Sequence, residues 1–327
     1  MNDIIRVNNL SKHYKILQRG EGRFEIIKTF FSRKYKTVKA LDKVSFTIGE
    51  GDFVGIIGPN GAGKSTLIKI LTGILTPTSG EAVVTGFVPY KQRKKYVQNI
   101  GVVFGQRTQL WWDLPVRDSF DMLKYIYKVP EKQFKTNMKK FAEILEINDY
   151  MLKPVRKLSL GERMRCDMAA SLLHNPKIIF LDEPTIGLDV EAKYKLREFL
   201  KEVNKLGVTI ILTTHDMGDI EELCPRTIMV DHGKIVIDAP TKDIKNKISS
   251  QRTLLIDFKG APPKLKNKKG MKIVSKEGDR IMITIDTRKH SVSSVMKMIL
   301  KKYEVDDITI SEPSIEENVR KIYRGEL

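Results

Sequence analysis

Asp52-Phe53-Val54-Gly55-Ile56-Ile57 runs into Gly58-Pro59-Asn60-Gly61-Ala62-Gly63-Lys64-Ser65-Thr66, and Leu67-Ile68-Lys69-Ile70-Leu71 follows at once. An apolar run of strand length enters a glycine-rich turn, and an apolar helical pattern leaves it. This is the phosphate-loop pattern, and strand before with helix after is the setting that gives it meaning. The glycines let successive backbone N–H groups turn inward around phosphate oxygens. The helix that follows offers its positive N-terminal end to the same anion. Residues Gly58 to Thr66 are therefore the expected nucleotide contacts, with Lys64 reaching the β- and γ-phosphates and the Ser65 hydroxyl ligating Mg²⁺.

Outward from that loop, Lys177-Ile178-Ile179-Phe180-Leu181 and Thr209-Ile210-Ile211-Leu212-Thr213 are apolar almost throughout. Parallel strands covered by helices on both faces read this way. From Ile4 to about Pro240 such runs alternate with turn signals and helical patterns, which is α/β architecture. A long helical tract, Arg117 to Leu173, separates the first two strands and reads as an inserted helical subdomain spanning about 110–173.

The strand at Lys177 ends in Asp182-Glu183. Asp182 stands where a magnesium-organising aspartate belongs in a phosphate-loop enzyme. Glu183, next along, can take a proton from an attacking water. His215, just past the following strand in Thr213-Thr214-His215-Asp216, is placed to meet a γ-phosphate.

Composition bounds the rest. The chain has 327 residues, enough for one large and one small domain, and 41% apolar residues, enough for a sizeable core. No apolar stretch approaches the ~18 residues of a membrane-spanning helix. The start, Met1-Asn2-Asp3-Ile4, lacks the pattern of a secretory signal. Cys166 and Cys224 fit no metal-ligand spacing, which argues against a zinc site or a disulfide scaffold and suits a reducing compartment. A net charge of +18 directs the chain toward nucleic acid, an anionic membrane surface or acidic partners, without choosing among them.

Two further regions stand out. An insertion at about 16–38 carries Ile26, Ile27, Phe30 and Phe31 at helical spacing, with Lys28, Arg33, Lys34 and Lys36 among them. A short basic amphipathic helix follows, lying on lipid, on a partner, or on its own domain. Residues 241–327 form a lysine-rich linker and a small α+β domain: strands at Leu254–Phe258, Arg280–Ile285 and Asp307–Ile310, a helix over Ser291–Tyr303, and a basic loop at Pro262–Lys272. That order reads as half of a ferredoxin-like unit.

Between the two halves of the expected nucleotide site lies Leu158-Ser159-Leu160-Gly161-Glu162-Arg163. It resembles the signature of ATP-binding cassette (ABC) proteins, Leu-Ser-Gly-Gly-Gln. Pro184-Thr185-Ile186-Gly187-Leu188-Asp189 resembles their D-loop, Gln106 their Q-loop glutamine, and His215 their switch histidine. The resemblance covers residues 4 to 240. It implies an ABC-type phosphate-loop ATPase, a RecA-like core with a helical subdomain, using ATP and Mg²⁺. Ser65, Gln106 and Asp182 would organise the metal, and Glu183 and His215 would act in hydrolysis. Two cassettes would face each other head to tail, so that Ser159 and the Gly161 backbone meet ATP held by the other copy. Asp189 would join the same interface.

Leu160 and Glu162 depart from the signature, and a leucine there crowds the approach to phosphate and disfavours φ > 0. A tuned ATPase is expected. Tyr14 resembles the adenine-stacking aromatic, with Tyr35 its rival. Trp111 and Trp112 follow the Q-loop, where the family receives a membrane subunit's coupling helix; they are interface anchors or core residues. The altered signature, the tryptophan pair and the small C-terminal domain are similar to ABC-2-type exporter ATPases, including the multidrug-resistance branch. The N-terminal insertion resembles that of cassettes exporting cell-surface polysaccharides, and the tail Ile308–Glu317 resembles the end of the accessory domain in such exporters. Expected partners are a second cassette, polytopic membrane subunits and an anionic inner leaflet, at the cytoplasmic face of the membrane, with no specific nucleic acid. The alternative is a soluble cassette acting on ribosomes or nucleic acid.

Overall fold

The computed structural model describes residues 3–17, 35–105, 107–248, 251–260, 262, 263, 265, 267 and 269–311. The chain divides into two units, Met1–Ala239 and Pro240–Leu327.

In the first unit, β3 (Phe53–Ile57) is buried at all five positions. It lies inside a six-stranded sheet of order β5-β6-β7-β3-β8-β9, formed with β5 (Ile100–Phe104), β6 (Ile178–Asp182), β7 (Thr209–Thr213), β8 (Arg226–Asp231) and β9 (Lys234–Pro240). The pairs from β5 to β8 are parallel. Ile56 pairs with Thr213, Thr213 with Asp182, and Asp182 with Phe104. That register brings the carboxyl ends of four strands to one edge, where open α/β sheets bind ligands.

A second sheet of order β2-β1-β4 is antiparallel, with β1 spanning Asp3–Leu17, β2 Tyr35–Gly49 and β4 Ser79–Val84. Pairing of β1 with β2 continues outward to Leu17 opposite Tyr35. Residues 16–17 and 35–38, expected in the insertion, thus extend a hairpin instead. The amphipathic helix expected around Ile26 to Phe31 lies outside the described residues. Between these sheets α1 (Lys64–Leu71) buries Leu67, Ile68, Ile70 and Leu71 in a core shared with Ile5, Leu10, Leu41 and Val54. At about 25 cal/mol per Å² of apolar surface, this core is the main favourable term holding the loop's two flanks.

The helical tract resolves into α2 (Val116–Ile126), α3 (Glu131–Ile144) and α4 (Leu160–Leu172). Pro115 and Pro130 precede the first two, fixing φ where no intrahelical N–H is lost. Phe141 in α3 and Phe199 of α5 (Val190–Lys205) meet edge to face, their centroids 6.2 Å apart. Helix α4 begins at Leu160, with Ser159 as its N-cap. Leu160 thus has ordinary helical backbone, and the expected conflict with φ > 0 does not arise. Asp216 caps the short α6 (Met217–Leu223) through the Gly218 N–H at 2.9 Å.

The second unit holds α7 (Thr241–Ile248) and an antiparallel sheet of order β11-β12-β10-β13, from β10 (Gln251–Phe258), β11 (Met271–Glu277), β12 (Arg280–Asp286) and β13 (Val305–Ser311). Alternate residues Leu254, Ile256 and Phe258 face Val295 and Ile299 of α8 (Val292–Leu300), as period-two strands under one helix must. Among the described residues the unit holds α7, α8 and four strands, and β11 begins at Met271, inside the stretch expected as a basic loop. Of the tail, Ile308–Ser311 lies in β13, and Glu312 onward is outside the described residues.

Candidate nucleotide site

The turn from β3 to α1 is shaped by backbone close to backbone. A β-carbon on Gly58 would stand 2.1 Å from the Val230 carbonyl oxygen, and one on Gly63 2.4 Å from that of Ala40. Gly63 also holds φ 113°, where side chains are excluded. Only glycine fits at either place. The tip, Pro59, Asn60 and Gly61, faces solvent, while Ala62 is buried. Lys64 turns back into the loop, donating from Nζ to the Gly58 and Pro59 carbonyls at 2.7 and 3.2 Å. It is buried and has no ion pair among the described residues. Burial lowers its pKa, against the opposing pull of Glu183 and Asp182. A buried cation ringed by turned-in backbone is a receptor for an anion.

Next to it, Ser65 Oγ lies 3.4 Å from Asp182 Oδ1, which also accepts from the Thr213 hydroxyl. These hard oxygens suit a divalent cation. Glu183 carries φ 55°, uncommon outside glycine, and its N–H donates to the Thr213 carbonyl at 2.9 Å. Its Oε2 is 3.1 Å from Nδ1 of His215. A carboxylate and an imidazole in contact beside a phosphate receptor can share the proton of a water.

The signature residues assemble elsewhere. Ser159 and Glu162 close the start of α4, Gly161 lies against Ala192 and Leu188, and Leu160 Cδ2 packs where a Gly187 β-carbon would be, 2.7 Å away. Asp189 caps α5 through the Ala192 N–H at 2.8 Å. Signature and D-loop therefore form one surface. Among the described residues, neither Ser159 nor Gly161 bonds the phosphate loop.

Tyr14 is 37% exposed and pairs with Val38, two residues from Ala40 and the phosphate loop. Tyr35 is five residues from Ala40, at the far end of the hairpin. Gln106 lies outside the described residues. The next residues are anchored by a group not singled out in the sequence: buried Asp167 of α4 accepts from Thr108 Oγ1 at 2.9 Å and the Gln109 N–H at 3.0 Å. Burial pushes its carboxyl up to about 6. An acid on the apolar side of α4's pattern was the available signal. Neither tryptophan is in the core: Trp111 is half-buried, and Trp112 is 50% exposed with Arg163 of α4 5.6 Å over its ring.

The family model described as ABC transporter matches residues 41–186. The ABC transporter ATP-binding protein NatA of Bacillus subtilis is 34% identical over 63% of this chain and 84% of its own length. The chain belongs to the ABC transporter ATP-binding proteins. The methionine import ATP-binding protein MetN of Carboxydothermus hydrogenoformans is 34% identical over 64% of this chain and 63% of its own. The daunorubicin resistance ATP-binding protein DrrA3 of Streptomyces coeruleorubidus is 27% identical over 87% and 91%. Among solved structures, the dimeric post-hydrolysis state of the ATP-binding cassette MJ0796 bound to ADP and Pi superposes with TM-score 0.61, at 26% identity over 72% of this chain and 98% of that one. This ABC protein is thus an ATPase of the cassette fold, the ATP-binding subunit of a transporter. Among the described residues no helix is long and apolar enough to cross a membrane.

Proposed function

We propose that this ABC protein drives an ABC-2-type exporter, closing on a second cassette around ATP and moving separate polytopic membrane subunits from the cytoplasmic face of the membrane. The observation that carries the paired arrangement is the separation of the two half-sites: Ser159, Gly161 and Asp189 share one surface, and none of them bonds the chain's own phosphate loop. A second copy supplies what each site lacks.

In this reading Lys64 and the loop Gly58 to Thr66 hold the phosphates, and Tyr14 stacks on adenine. Ser65, Asp182 and Gln106 would hold the magnesium, which when bound would supply positive charge to the phosphates. Glu183 takes the proton of the attacking water, and His215, donating to Glu183, keeps that carboxylate aimed. Ser159 still has its own O–H to donate, since its oxygen accepts the Glu162 N–H, and α4 adds a helix N-terminus aimed at the partner's γ-phosphate.

Export is supported by the reach of the resemblance. The match to the resistance protein DrrA3 spans 292 residues and so includes part of Pro240–Leu327, whereas the matches to the MetN import proteins span 205 to 226. The spread of basic residues suits an anionic inner leaflet, at about 1 kcal/mol for each one near the surface. Trp112, exposed beside α4, is an anchor for a coupling helix.

The test is Glu183→Gln with ATP. A dimer that persists through size-exclusion chromatography, and dissociates when Ser159→Arg is added, supports the shared site. A Glu183→Gln variant that stays monomeric with ATP refutes the shared site, and normal turnover by it means that another base acts. Pull-down from native membranes in mild detergent should recover a polytopic protein in near-equal amount, and recovery of ribosomes alone would overturn the exporter reading.

A further inference from the structure

Two separate loops carry Glu183 and His215, and one buried carboxylate grips both. Thr185 lies two residues after Glu183, and Thr214 one residue before His215. Both threonines are buried, and both hydroxyls donate to the same oxygen, Asp219 Oδ2, at 2.5 and 3.4 Å. Asp219, in α6, is fully buried. Its other oxygen accepts from Arg197 of α5, Nε at 2.7 Å and Nη2 at 2.6 Å. Arg197 is held in turn by Glu222 at 2.8 Å. On the other side of His215, Asp216 pairs with Lys193, one turn before Arg197 on the same helix, at 2.7 Å.

The Glu183 backbone is tied to the Thr213 carbonyl at 2.9 Å, but that bond does not aim the side chains of the pair. The His215 side chain is 58% exposed, so packing does not orient it. Glu183 sits at φ 55°, a strained conformation that persists only where its neighbours over-determine it. Buried ion pairs are often replaceable by apolar groups without loss of stability, so stability alone does not call for an aspartate here. A carboxylate does what an apolar side chain cannot, bonding two loops with one oxygen and an arginine with the other.

We infer that Asp219, locked by Arg197, is a positioning residue for ATP hydrolysis, setting the contact of Glu183 with His215 through Thr185 and Thr214. This rests on the reading of those two residues as the hydrolytic pair. It makes the D-loop threonine and the threonine before the switch histidine parts of one bracket.

The experiment uses the full chain with Thr185→Val, which removes one hydroxyl at constant shape, and Thr185→Ser, which keeps it. Turnover of Thr185→Val should fall about tenfold or more, as expected when a general base loses its aim. Affinity for a fluorescent ATP analogue should stay within about twofold of the parent, because the phosphate loop is untouched. In the nucleotide-free protein the imidazole NMR signals of His215 should move in Thr185→Val and return in Thr185→Ser. Unmoved signals, or turnover within about twofold of the parent, overturn the inference. If Thr185→Val does not fold, Thr185→Ala removes the same hydroxyl with less bulk and carries the same test. Glu183→Gln and His215→Ala separate the two failures. Turnover that survives both refutes the hydrolytic pair and this inference with it. Turnover lost in both but kept by Thr185→Val refutes the bracket alone.

Discussion

Glu162 Oε2 accepts the backbone N–H of Ser159 at 2.7 Å, and the Ser159 hydroxyl accepts the backbone N–H of Glu162 at 3.2 Å. The glutamate that departs from the signature's usual glutamine thus closes a capping box, satisfying two N–H groups that a helix start leaves open. The charge also favours the positive end of α4. The departure reinforces the helix start that presents Ser159.

Glu162→Ala should lower stability by about 1 kcal/mol, the usual worth of a lost cap. Glu162→Gln, which keeps the reach and the acceptor, should cost less than half of that. Urea midpoints of the two variants check the order.

Lys64→Ala should reduce ATP hydrolysis by two orders of magnitude or more, about 3 kcal/mol or more of lost transition-state stabilisation. The fold should survive, since among the described residues Lys64 bonds only the Gly58 and Pro59 carbonyls and its burial already disfavours the charge. Circular dichroism alongside phosphate release separates loss of activity from loss of structure.

Stability against pH should show two opposed contributions near the end of α4. Burial pushes Asp167 up to about 6, so the folded chain keeps that proton longer than the unfolded one, and stability falls as pH rises from about 4 to 6. Burial pushes His174, stacked on Tyr127, down to about 4, so the unfolded chain binds that proton more readily and stability rises over about 4 to 6.5. Each is on the order of 3 kcal/mol at full extent. Asp167→Asn should steepen the rise of the urea midpoint over that window, and His174→Phe should flatten or invert it.

Gly187 holds φ 71°, with Leu160 Cδ2 over the place of a β-carbon. Gly187→Ala should cost about 1–2 kcal/mol, chiefly the left-handed backbone, because the leucine tip can swing aside. Adding Leu160→Ala should therefore recover little of the loss. Recovery of most of it in thermal unfolding would assign the cost to the side-chain contact instead.

Local pattern was enough for the glycine-rich turn between β3 and α1, the strand ending in Asp182-Glu183 and the order of the motifs. Each of these is written in neighbouring residues: a glycine spacing, an apolar run, a period of 2 or 3.6. What depends on pairing between distant segments was not readable there. Strand β8, with arginine and aspartate at its ends, gave no clear apolar run, yet it lies beside β3, and its Val230 carbonyl makes Gly58 obligatory. The hairpin that ranks Tyr14 ahead of Tyr35 as neighbour of the loop is a matter of register. Asp167 and Asp219 looked like ordinary acids on helix faces. Only the packing of α4 against the segment after Gln106, and of α5 against α6, encloses them and gives them partners, because a buried carboxylate is defined by the groups that surround it and those come from elsewhere in the chain.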